Sequence, residues 1–143
     1  MRIILGVVFV FHGSQKLFGL FDGPGLATFT AYLHQLELPY PQYLAVLAAG
    51  TEFLGGLALI LGLQMRTMMV PLATTMFVAA FVVHRGQFDM QHGGMEYPLT
   101  LGMVTTGLAM TGPGRFSLST LIKIKNIILP DEDAIALERR LGA

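Results

Sequence analysis

Between Leu44 and Leu63 the chain reads LAVLAAGTEFLGGLALILGL, an apolar run in which Glu52, close to the middle, is the one charged side chain. A helix of that length crosses the ~30 Å hydrocarbon core of a bilayer. A carboxylate at such a depth needs a partner or a proton, so the other polar residues are read in relation to Glu52. Composition supports the membrane setting: 53% hydrophobic residues, 13% charged ones and a mean hydropathy of +0.62 exceed what a soluble surface usually tolerates. The 143 residues leave room for about four spans of ~20 residues and no separate soluble domain. Because the apolar runs are continuous instead of alternating, helices are expected and a transmembrane barrel is not.

The expected architecture is all-α, an integral membrane four-helix bundle with an amphipathic helix in an outer loop and an amphipathic cytoplasmic segment at the C-terminus. The spans are read at about 3–21, 42–63, 67–83 and 96–111, with Pro71 in the first turns of the third. Asp22-Gly23-Pro24-Gly25 breaks the first helix, and Leu26, Phe29, Leu33 and Leu36 then mark one face of a short interfacial helix. Gly112-Pro113-Gly114 stops the fourth span. Beyond it, Leu118, Leu121, Ile122 and Ile128 would face acyl chains while Lys123 and Lys125 face headgroups. The membrane domain is placed at 1–121 and an amphipathic and polar cytoplasmic tail at 122–143, with acids and then arginines after Pro130. Gly55, Gly56 and Gly62 are expected to permit close helix contact.

Four spans put both termini on one side. Arg2, Arg66, Arg115, Lys123, Lys125, Arg139 and Arg140 share that side, seven residues against Lys16 and Arg85 on the other, so both termini are expected in the cytoplasm. At a rise of about 1.5 Å per residue, His12 and Glu52 lie at matching depth, with Lys16, His84 and Glu96 nearer the outer surface. His12 and Glu52 are expected to meet as one unit and relay protons. A cavity in the outer half is expected to be lined by His12, Gln15, Lys16, Glu52, His84 and Glu96. Competing with this is a purely structural reading, in which His12 and Glu52 fix helix register and the outer polar groups snorkel to the interface.

The stretch from His12 to Gly19, HGSQKLFG, then Glu52 with Gly55-Gly56, Leu61-Gly62 and Arg66, and finally Gly112-Pro113-Gly114-Arg115-Phe116-Ser117 resemble the pattern of the DoxX family. The likeness runs from Arg2 to about Leu121, and Glu96 before Tyr97 is similar to the family's acidic residue opening the last span. The acidic tail has no family counterpart. The resemblance implies a four-helix protein of the bacterial inner membrane, related to the small subunit of thiosulfate:quinone oxidoreductases.

Joined to the polar cluster, this leads to a quinone as the expected ligand, bound among membrane lipid. The cluster would offer its two oxygens a hydrogen-bond donor and a proton acceptor. The chain has no cysteine and no haem, flavin or iron–sulfur signature, so a redox protein partner would have to deliver the electrons. A homo-oligomer is compatible with this reading, and no nucleic-acid partner is expected. Two alternatives stay open: a non-catalytic adaptor scaffolding a redox or stress complex, and a metal site on His12, Glu52 and His84. The metal ranks last, because no His-x-x-His or Glu-x-x-His spacing is present.

Overall fold

A computed structural model describes residues 1–112, 114 and 117–128. Pro113, Arg115 and Phe116 of the Gly-Pro-Gly-Arg-Phe-Ser stretch, the side chains of Lys125 and Ile128, and the polar tail after Ile128 lie outside the described residues. Among the described residues there are helices and no strands: α1 Arg2–Phe18, α2 Gly25–Gln35, α3 Pro41–Leu61, α4 Met65–Val78, α5 Glu96–Thr111 and α6 Leu118–Ile128. Among the described residues, two helical stretches, Pro41–Leu61 and Arg66–Val83, are long and apolar enough to cross a membrane.

The helix ends follow from local chemistry. Gly19 adopts φ 68° and donates its N–H to the Gln15 carbonyl, which stops α1 three residues before the expected Phe21. Pro41 occupies the first turn of α3, where its missing N–H costs nothing, and Gly62 closes that helix at φ 69°. Helix α4 starts two residues earlier than expected, at Met65, so Pro71 sits in its interior instead of its first turns. From Ala79 to Val83 the backbone widens into one π turn, closed by the His84 N–H on the Ala79 carbonyl at 2.9 Å.

Helix α1 packs antiparallel along α3 at a separation only glycine permits. A Cβ at Gly6 would stand 2.7 Å from the Gly56 carbonyl oxygen, one at Gly56 2.7 Å from the Val10 nitrogen, and one at Gly13 2.8 Å from the Phe53 Cα. The small residues therefore bring two backbones together, the way helices associate where lipid supplies no hydrophobic drive. Helix α4 packs antiparallel on α5, and α3 joins the two pairs around Leu5, Phe9, Leu59, Met69, Leu72 and Met76. Large apolar side chains also cover the outer faces, among them Ile4, Val7, Leu47, Leu54, Val70 and Met103. Helices apolar on both inner and outer faces suit a hydrocarbon surround.

This antiparallel order gathers four helix ends at one end of the bundle: the last turns of α1, the π turn after α4, and the first turns of α3 and α5. Helix α2 lies across the same end, packed on α3 and α1. Its Leu33 is buried, so the apolar face expected to rest on lipid is turned at least partly onto the protein.

Candidate functional site

At that end Glu52, only 1% exposed, accepts hydrogen bonds from Lys16 Nζ on both carboxylate oxygens, at 2.5 and 2.7 Å. The expected pairing of Glu52 with His12 is therefore not the one formed. Side chains tilt toward the N-terminus of their own helix. In an antiparallel pair this carries Lys16 inward from the end of α1 and Glu52 outward from the middle of α3, so that they meet. His12 is a full turn deeper, and its Nε2 lies 3.0 Å from the Tyr97 hydroxyl at the start of α5. Lys16 departs from the competing structural reading in which it snorkels outward: it reaches into the bundle, with Nζ 5.3 Å from the centroid of the Phe29 ring of α2.

The Lys16–Glu52 pair is a wall between two cavities. The larger, about 380 Å³, is roofed by α2 and lined by Gln15, Phe29, Tyr32, Leu33 and Thr75 among others. The smaller, about 240 Å³, lies toward α5 and is lined by His12, Tyr97, Phe9 and Met76 among others. Lys16, Glu52, Ala79 and His84 line both. The π turn explains the last two, because a bond from residue i to i+5 puts Ala79 and His84, five apart, on one face.

His84 Nδ1 lies 2.8 Å from the Gly93 carbonyl, in the loop that joins the π turn to α5. That loop is itself held. Asp89 caps a 3-10 turn over Met90–His92 by accepting from the Gln91 N–H, and Glu96 accepts from the Met90 N–H at 2.8 Å. Glu96 lines neither cavity. The expectation that it belongs to the cavity wall is corrected: the first-turn carboxylate of α5 reaches back to an open loop amide, a stronger local claim on it than the bundle interior.

Of the six residues expected to surround one cavity, Gln15, Lys16, Glu52 and His84 line the larger, and His12 joins Lys16, Glu52 and His84 in the smaller. Gln15 also donates to the Phe21 carbonyl at 3.3 Å. The donor atoms of the metal alternative are spread over other partners: Glu52 on Lys16, His12 on Tyr97, His84 on Gly93. Among the described residues no three His, Asp or Glu side chains are grouped to hold a metal ion. Sequence reasoning missed Tyr97, Phe29 and Thr75 as lining residues. Phe29 carried a usable signal, since it lies on the apolar stripe of α2 and only the surface it faces was misjudged.

The chain has relatives. A curated protein of Bacillus subtilis (strain 168), named "Putative oxidoreductase CatD", is 27% identical over 122 residues, covering 85% of this chain and 84% of its own. No solved structure matches significantly. The family pattern described as DoxX matches residues 1–85, which take in Lys16, Glu52, His84 and the whole of α2 but leave Tyr97 outside. With 85 of its 143 residues matched, the Lys16–Glu52 pair among them, the chain belongs to the DoxX family.

Proposed function

We propose that the chain is a four-span inner-membrane bundle with cytoplasmic termini, and that its larger cavity binds a quinone head group for a redox reaction run with an electron-donating protein. The observation that carries this reading is the Lys16–Glu52 pair set into the wall of a 380 Å³ apolar cavity. A cavity of that size, mostly apolar with a few convergent polar groups, has the character of a small-molecule site. Lys16 spends two of its three N–H directions on Glu52 and keeps one for a ligand oxygen. Phe29 and Tyr32 supply flat aromatic surface for a planar ring. The oxidoreductase name of the Bacillus relative agrees with redox work of this general kind.

α1 and α5 have 17 and 16 residues, roughly 24–26 Å of helix. They cross a bilayer when they stand nearly upright beside the longer α3. The reading is tested by equilibrium binding of a short-tailed quinone to the chain in nanodiscs, compared with Ala48→Phe, which fills the larger cavity from α3. Saturable binding that Ala48→Phe removes is the expected result. Binding unchanged by that substitution, or no saturable binding, would refute it.

The adaptor alternative has one observation in its favour, that Glu52 and Lys16 satisfy one another without any ligand. It predicts that replacing both residues leaves every measurable interaction of the protein intact.

A further inference from the structure

The hydrogen bond from His84 to the loop fixes more than the ring's position. The Gly93 carbonyl can only accept, so Nδ1, 2.8 Å away, carries the proton. In the neutral ring the other nitrogen, Nε2, is then a bare acceptor, and His84 lines both cavities. The wall therefore carries two complementary groups. Lys16 donates, with Glu52 holding its ammonium in place. His84 accepts.

The two oxidation states of a quinone meet such a pair differently. Either a quinone carbonyl or a quinol hydroxyl oxygen can accept from Lys16. Only the quinol has an O–H to give to His84 Nε2, whereas a quinone carbonyl would set lone pair against lone pair. Resting on the quinone reading above, we propose that His84, locked by Gly93 into the Nδ1–H tautomer, makes the site hold the quinol form of its ligand more tightly than the quinone.

The consequence is a direction of electron flow. A site that holds the reduced form ten times more tightly raises the two-electron potential of the bound couple by about 30 mV, and so makes the bound quinone a better acceptor for the donating partner. Glu96 and Asp89 serve this arrangement as positioning residues, because they hold the loop that presents the Gly93 carbonyl. The tautomer is set by backbone geometry, outside the reach of the ligand itself.

The test is anaerobic equilibrium binding of a decyl-tailed benzoquinone and its pre-reduced quinol to the full chain in nanodiscs at mildly alkaline pH. The wild-type comparison needs no substitution, so it stands even if a variant folds poorly. The quinol is expected to bind about tenfold more tightly than the quinone. His84→Phe should abolish that preference, bringing the quinol and quinone affinities within about twofold of each other. Equal affinities in the wild type, or a quinol preference that survives His84→Phe, would overturn this proposal while leaving the quinone reading intact. Failure of both forms to bind would overturn the two together.

Discussion

Removing one member of the Lys16–Glu52 pair should cost far more than removing both. At N–O separations of 2.5 and 2.7 Å, two unit charges at an effective dielectric near 20 attract by about 6 kcal/mol. Several kcal/mol of desolvation for buried Glu52, and less for part-buried Lys16, offset most of that, so the net worth of the pair is small. Lys16→Met leaves Glu52, 1% exposed, without its cation. An unpaired charge buried in this way costs about 3–5 kcal/mol, and a lone charged residue at the centre of a membrane helix about 2.5–3.5 kcal/mol on insertion scales. Lys16→Met should destabilise the bundle by about 3 kcal/mol, and Glu52→Met, which leaves an ammonium whose side chain is 26% exposed, by about 1–2 kcal/mol. The double substitution should lie within about 1 kcal/mol of the wild type, giving a coupling near 4 kcal/mol. Reversible unfolding in mixed micelles, followed by circular dichroism, reads all four corners of the cycle. Losses that simply add, or single substitutions costing under 1 kcal/mol, would refute the reasoning, because the pair would then be neither buried nor mutually dependent.

Gly13→Val should force α1 and α3 apart, since even a Cβ meets the Phe53 backbone within 2.9 Å, and should destabilise by at least the 1–3 kcal/mol typical of overpacking; unchanged unfolding would contradict the glycine-mediated contact. Tyr97→Phe removes the partner of His12 and should cost about 1 kcal/mol of stability, while leaving quinone binding in the larger cavity within about twofold; a large binding loss would mean that the two cavities act as one. Cysteines introduced at Thr28 and Gln91 should react with an impermeant thiol reagent applied from outside the cell; labelling only after permeabilisation would invert the proposed topology.

Helix positions were legible because apolar runs and their glycine and proline stops are local properties. The bounds of α5 and the start of α3 at the Pro-Tyr-Pro turn follow from them directly. The cluster was legible as a set because each ionisable residue stands out in an apolar run. Its pairing was not. Matching His12 with Glu52 by backbone depth ignores the tilt of side chains along an antiparallel pair, which favours Lys16 by a full turn. The π turn that brings His84 to the cavities leaves no mark in composition, and Tyr97 reads like any interfacial aromatic until α5 is docked beside α1. Gly13 is similar: its role depends on which residue of α3 lies opposite it.

The most direct test of the central claim is the quinone content of the protein itself. Wild-type chain and the Lys16→Met/Glu52→Met double variant, which should fold equally well, are purified from native membranes in the same mild detergent and extracted for mass spectrometry. Occupation of the cavity at the ion pair predicts quinone or quinol approaching one per wild-type chain, and depletion of at least about tenfold in the double variant. Equal, trace amounts in both would contradict it.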